Sequence, residues 1–248
     1  MNAKSKKKRL DVLMLERGMA ESRQKAQAMI LAGEVSVDGL KQEKAGAQIS
    51  GSSRIEVSSR LQKYASRGGL KLEGALADFC LNPASLVCLD LGSSTGGFTD
   101  CLLQHGAARV YAVDVNTSQL AWKLQQDPRV IRIERNAREL QPNEIAEPVD
   151  LVVADVSFIS VTKVLSAAIA VARKDAHFLI LIKPQFELRR EDVSAGGIVK
   201  DTALHEKAIA SVRSEAQKSG LELLAVAPSR ITGAEGNQEF FLHARKIA

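Results

Sequence analysis

The sequence predicts an α/β protein in two parts, a small α+β module followed by a larger domain built on a mostly parallel sheet. Two observations carry this. Between residues 80 and 248, seven short apolar runs alternate with helix-length segments: "VCLDLG", "RVYAVDV", "RVIRIER", "DLVVADVS", "HFLILIKP", "LELLAVAP" and "EFFLHAR". Runs with little polar alternation belong to strands covered on both faces. The first 60 residues differ, and they hold the whole basic excess of the chain. Their twelve Lys and Arg against seven Asp and Glu leave a net of +5, equal to the net charge of all 248 residues. The expected division is therefore a module over residues 1–60, a linker and lead-in helix over 61–79, and the sheet domain over 80–248.

Composition narrows the class. With 45% hydrophobic and 25% charged residues, the chain reads as soluble and folded. No stretch approaches the ~20 apolar residues that span a bilayer. The basic start "MNAKSKKKRLD" lacks the apolar segment of a secretory signal. Cys80, Cys88 and Cys101 are odd in number and without metal spacing, and read as reduced thiols of a cytoplasmic protein. None of the four histidines falls in a zinc or protease motif, so no metal is expected.

In the first module, Leu10, Leu13 and Met14 mark a short helix ended by Gly18. Ser22 is placed to cap a second helix, with Ala26, Met29 and Ile30 at helical spacing and Gly33 as its stop. "EVSVDG" alternates like a strand and turns at Asp38-Gly39, and "SRIEVSS" supplies a second strand. Such a small unit has a marginal core by size. Its lysine run reads either as a solubilising tail or as an electrostatic footprint for a polyanion such as RNA. The candidate RNA contacts are Lys6, Lys7, Lys8, Arg9, Arg23 and Lys25, with Arg67 in the joining segment. "RLDVLMLERGMAESRQKAQAMILAGEVSVDG" resembles the small RNA-binding domain named after ribosomal protein S-four. That resemblance implies structured RNA without specifying a reaction.

After the joining segment, "LKLEGALADF" reads as an amphipathic helix. The last two strands have only "SRITGAEGNQ" between them, too little for a helical crossover, so they predict a terminal antiparallel hairpin. With the final strand inserted into the sheet, this is the seven-stranded arrangement of methyltransferases that use S-adenosylmethionine.

The turn "CLDLGSSTGGFTD" narrows the ligand. Gly92 is followed by Ser93-Ser94-Thr95-Gly96, so the second glycine of a dinucleotide fingerprint is missing. Gly92 and Gly97 have Walker spacing, but Phe98-Thr99 follows where lysine is required. What remains is Asp90-x-Gly92-x-x-x-Gly96. An acid there suits a cationic amino-acid moiety and sulfonium better than a pyrophosphate, and glycines allow close backbone approach. Asp114, ending the second strand, is placed for ribose hydroxyls, although an acid there also serves as a helix cap. Asn136, after the third strand, reads equally as an adenine contact or an N-cap.

The fourth strand ends Asp155-Val156-Ser157-Phe158, without the two prolines typical of exocyclic-amine methylation. Lys183 ends the fifth, a costly place for an unpaired ammonium. A single such lysine usually snorkels. Lys71, Asp155, Lys183 and Glu239, however, match in chain order the tetrad of the FtsJ-like RNA ribose 2′-O-methyltransferases. "SRGGLKL", "DLGSSTGGFTD", "ADVSF" and "IKPQFE" resemble one subgroup, the TlyA family, often labelled haemolysin, over essentially the whole chain.

The resemblance implies a Rossmann-like class I methyltransferase domain using S-adenosylmethionine to methylate cytidine ribose in ribosomal RNA of assembled subunits. Lys183 is implied at the 2′-oxygen, with Asp155, Lys71 and Glu239 around it. Gly96, Phe98, Asp114 and Asp155 are implied at the cofactor. Asn136 departs from the Asp that related enzymes often carry. The ending "HARKIA" resembles the shorter members, which modify only the large subunit. Three alternatives stand beside this reading. A membrane-lysing protein finds no spanning or long amphipathic segment. A pseudouridine synthase is echoed only by Arg9-Leu10-Asp11. An RNA-binding protein without catalysis conflicts with the intact tetrad.

Overall fold

The structure, a computed structural model, describes residues 7–20, 22–31, 33–57, 63–194, 196–233 and 236–247. Lys6, an expected RNA contact, lies outside the described residues. The chain divides into two compact units, residues 1–62 and 63–248.

The small unit runs β1 (Lys7–Arg9), α1 (Leu10–Glu16), α2 (Arg23–Leu31), β2 (Val35–Val37), β3 (Leu40–Gln42), β4 (Gln48–Ser50) and β5 (Ile55–Val57). Leu10, Leu13 and Met14 of α1 bury against Ala26 and Ile30 of α2 and against Val35, Val37 and Ile55 of the strands. The expected cap is present, with Lys25 N–H donating to Ser22 Oγ at 3.1 Å. Asp38 and Gly39 have φ of +52° and +83°, the left-handed pair that a tight two-residue hairpin turn requires. β2 lies between β3 and β5, antiparallel to both, while β1 pairs antiparallel with β4. The sequence reading misses β1, β3 and β4. Each carries at most one apolar residue, whereas the equally short β2 and β5 each hold two flanking a polar one.

The large unit opens with α3 (Gly68–Asp78), followed by β6 (Val87–Leu91), α4 (Gly97–Gln104), β7 (Arg109–Asp114), α5 (Trp122–Gln125), β8 (Val130–Glu134) and β9 (Val149–Ala154). Then come α6 (Leu165–Val171), β10 (Ala172–Ile182), α7 (Pro184–Glu187), α8 (Thr202–Lys218), β11 (Leu221–Pro228) and β12 (Phe240–Lys246). All seven expected strands form one sheet in the order β11-β12-β10-β9-β6-β7-β8. From β10 to β8 the strands are parallel, and β12 is antiparallel to both of its neighbours. β10 begins five residues earlier than the apolar run, in "ARKDA", with a register shift between Ala172 and His177.

Both sheet faces are covered, and the strand period of two sorts them. Leu89 and Leu91 pack with Leu165, Ala168, Ile209 and Val212 of α6 and α8. Cys88, Val110 and Leu179 pack with Leu72 and Leu76 of α3 and Cys101 and Leu102 of α4. The parallel strands leave their carboxyl ends on one edge, where an open α/β sheet places its crevice. Because β12 runs the other way, its first residue, Phe240, pairs with Ile182 at the end of β10. Glu239 therefore arrives at the same edge as Lys183.

Candidate active site

The glycine turn forms at this edge as a chain of unusual backbone angles, with φ of +83° at Gly92, +47° at Ser94 and +93° at Gly96. At Gly92 a Cβ would stand 2.5 Å from the Asp155 carbonyl oxygen, so any side chain would push β6 and β9 apart. The turn is tied down by Ser94 N–H, which donates to Asp114 Oδ2 at 2.9 Å, and Asn116 N–H donates to Oδ1 at 3.1 Å. Each Asp114 oxygen keeps acceptor capacity beyond these bonds.

Two adjoining clefts open along the edge. The first, about 260 Å³, is walled by Ser66, Arg67, Lys71, Ser93, Phe98 and Lys183, among others. The second, about 340 Å³, includes Asp114, Arg135, Asn136 and Phe158. Gly92, Ser94, Asp155 and Ser157 line both. Phe98, nearly buried, stacks on Phe241 with ring centroids 6.1 Å apart.

The expected Lys-Asp-Lys-Glu set comes together as two ion pairs. Lys183 Nζ stands 2.5 Å from Asp155 Oδ1, and Lys71 Nζ stands 2.5 Å from Glu239 Oε2. Lys183 also donates to Ser157 Oγ at 2.7 Å. Neither carboxylate oxygen has the angular geometry of a hydrogen bond to its lysine, so these are close charge contacts, and the Ser157 bond alone gives Lys183 a direction. Lys71, Lys183 and Glu239 are buried and Asp155 is partly so, which makes the electrostatics unscreened by bulk water.

Some expected positions are placed otherwise. Asp90 is fully buried and lines neither cleft; it shares the face of Cys88 and accepts from Thr99 Oγ1 of α4 at 2.6 Å. Burial raises its carboxyl to about 7, against the opposing bond from Thr99. An acid so held is a poor partner for a cationic ligand. Gly96 also lines neither cleft; its left-handed φ and the close approach of Leu124 and Leu120 explain the glycine. Asn136 caps the turn that follows β8, its Oδ1 accepting from Arg138 N–H at 3.2 Å, and it lines the second cleft.

Sequence reasoning overlooked Ser93, Ser157 and Phe158. Ser93 is nearly buried at the wall of the first cleft, and its Oγ has no hydrogen-bond partner. Phe158 is 89% exposed at φ +68°, with its ring 5.4 Å from that of Phe186. A left-handed aromatic residue is strained and needs its surroundings to hold it. The one available signal was an aromatic residue just after a strand-end acid.

In the small unit, the expected RNA contacts divide. Lys7 and Lys25 are exposed. Lys8 pairs with Glu16 at 2.6 Å. Arg9 and Arg23 converge on buried Asp11, which also accepts from Gln27.

The FtsJ-like methyltransferase family model matches residues 64–246. The chain belongs to the FtsJ-like methyltransferase family. An S4 domain matches residues 8–55. The 16S/23S rRNA (cytidine-2′-O)-methyltransferase TlyA of Mycobacterium tuberculosis is 44% identical over 243 residues, covering 97% of this chain and 91% of that protein. Hemolysin A of Brachyspira hyodysenteriae is 43% identical over 237 residues, covering 95% and 98%. A solved structure from Streptococcus thermophilus, also named a hemolysin, is 39% identical and covers 98% of this chain and 89% of its own, with a TM-score of 0.76. The FtsJ-like core thus accounts for the sheet, the glycine turn and the enzyme class. Among the described residues, no helix is long and apolar enough to cross a membrane.

Proposed function

We propose that this FtsJ-like methyltransferase uses S-adenosylmethionine to methylate the 2′-oxygen of a cytidine ribose in ribosomal RNA, in the cytoplasm and within an assembled ribosomal subunit. One observation carries the reading: two buried lysines, each paired with a carboxylate, stand in the cleft beside the glycine turn. The nucleotide and the RNA are those named for the Mycobacterium tuberculosis relative.

The residues present fit the cofactor. Gly92 lines both clefts, and Ser93 Oγ is a buried polar atom without a hydrogen-bond partner in the first. Asp114 in the second cleft has lone pairs for ribose hydroxyls. Asn136, its Oδ1 already used as a cap, offers amide N–H groups to an adenine ring nitrogen. When bound, S-adenosylmethionine supplies a methyl group activated by the adjacent sulfonium.

Lys183 is assigned to the 2′-oxygen. Its ammonium group orients the hydroxyl and stabilises the developing alkoxide, or in the neutral form takes the proton. Asp155 and Ser157 fix the amine, and Lys71 with Glu239 sets the field around it. Holding the oxygen in place is itself a large part of the catalysis. Phe158 presents an exposed ring on which the target base can stack, and Arg67 faces the flanking phosphate. Residues 1–60 dock the RNA, and 80–248 carry the chemistry together with Lys71, which the lead-in helix within 61–79 supplies.

The test is transfer of labelled methyl from S-adenosylmethionine to naked ribosomal RNA and to separate small and large subunits, followed by mapping of the label. Label on a cytidine 2′-oxygen is expected. Transfer to no ribosomal RNA, or to a base nitrogen, overturns the proposal.

A further inference from the structure

We propose that Glu187 is a positioning residue for methyl transfer, the anchor that fastens the turn after β9 to the turn after β10. The inference rests on the assignment of Lys183 to the ribose oxygen. It starts from α7, a single helical turn capped by Lys183, with Pro184 at its first position. Residues 183, 186 and 187 stand at i, i+3 and i+4, so they share one side of the turn. All three touch the segment that follows β9. Lys183 reaches Asp155 and Ser157, and the Phe186 ring meets that of Phe158. Glu187 Oε2 accepts from Ser160 Oγ at 2.5 Å, and Oε1 accepts from Val161 N–H at 2.8 Å.

Glu187 lines neither cleft, and among the described residues no cation pairs with it. Burial pushes its carboxyl up. A carboxylate taken from water without a counter-charge is costly, and here both of its oxygens are used to hold one loop. That loop carries Phe158 at φ +68°, a conformation that persists only where neighbours over-determine it. Lys183 and Phe186 contact the turn on the cleft side of Phe158, and Glu187 closes it on the far side, at Ser160 and Val161. With both ends held, Asp155 and Ser157 stay in register with Lys183, and the Phe158 ring stays presented.

The test compares full-length Glu187→Ala, Glu187→Gln and Ser160→Ala with the unaltered protein in ribosomal RNA methylation, alongside hydrogen exchange over residues 155–161. Glutamine can reproduce both contacts: its carbonyl accepts from Val161 N–H, and its amide donates to Ser160 Oγ, whose hydroxyl can turn to Thr162 Oγ1 at 2.7 Å. Glu187→Ala should lower kcat at saturating cofactor and RNA by ~10–100-fold, as expected for two lost hydrogen bonds felt as misalignment. Exchange at Val161 should rise. Glu187→Gln should restore activity to within about threefold, and Ser160→Ala should fall in between. Unchanged kcat in Glu187→Ala, a loss confined to KM, or a glutamine variant as poor as alanine overturns the proposal. If the unaltered protein transfers no methyl to RNA, the functional reading fails instead. Exchange then decides alone, and an unprotected segment in Glu187→Gln, or a protected one in Glu187→Ala, overturns the anchor.

Discussion

Each unit holds a buried ionic cluster, and the two are built in opposite senses. In the small unit one fully buried carboxylate, Asp11, gathers Arg9, Arg23 and Gln27, and the guanidinium side chains remain 41% and 51% exposed. In the large unit both signs are buried, with the Lys71 and Lys183 side chains only 10% and 9% exposed. Burying the acid alone turns cations outward, where a phosphate backbone can meet them over a broad surface. Burying both charges surrounds the lysines with protein, so that only a group entering the cleft meets them. The first arrangement suits docking and the second suits chemistry. A buried pair is weak evidence for stability in itself, because desolvation offsets most of the attraction.

The comparison breaks most sharply at Lys183. Lys183→Ala should lower kcat/KM for methyl transfer by ~10³-fold or more. Calorimetric binding of S-adenosylmethionine should hold within a few-fold, since Asp155 is partly exposed and can rehydrate. Retained turnover would place the chemistry elsewhere. Next in size is Glu239→Ala, which leaves Lys71 buried without its partner. Urea unfolding should show a loss of ~3–5 kcal/mol. The double variant Lys71→Met with Glu239→Leu should recover most of that stability while remaining inactive. If it also regains activity, this pair has no part in the reaction.

The smallest expected effect is Asp11→Asn, on the order of 1–3 kcal/mol at neutral pH from weakened charged hydrogen bonds. Its pH dependence follows from the folded state. The Arg9 guanidinium holds the Asp11 carboxyl well below the usual carboxylate range, with Gln27 and Arg23 adding to it against the opposing effect of burial. A group depressed on folding contributes fully above its unfolded value near pH 4 and loses that contribution as the pH falls. Unfolding curves of Asp11→Asn and the unaltered protein should therefore differ at pH 7 and converge in acid. A difference as large at pH 2 as at pH 7 would remove the Arg9–Asp11 bond as its source.

Much of this was legible beforehand, for identifiable reasons. The central strands could be read because doubly covered strands are apolar, and the tetrad because its four residues match the FtsJ-like set in chain order, with Lys183 anomalous at a strand end. The spacing of Asp90 and Gly92 in the chain points to the ligand, whereas strand alternation turns Asp90 towards Thr99 of α4. The Asp11 cluster joins residues 2, 12 and 16 positions apart, and composition registers such charges without their pairing. Phe158 and Glu187 escaped notice because a left-handed turn and its anchor, 29 residues apart in the chain, acquire meaning only when β9 and β10 lie side by side.

The insertion of β12 has a consequence for the order in which the site matures. Asp114 ends one of the parallel strands made early in synthesis, Gly92, Asp155 and Lys183 directly follow three others, and Lys71 precedes them all. Their edge of the sheet can assemble while the chain is still growing. Glu239 follows, directly before the reversed strand that enters between β10 and β11, the last strand of the sheet to be synthesised. Until then Lys71 lacks its counter-charge. The Lys71–Glu239 pair is thus complete only once the last strand has entered the sheet.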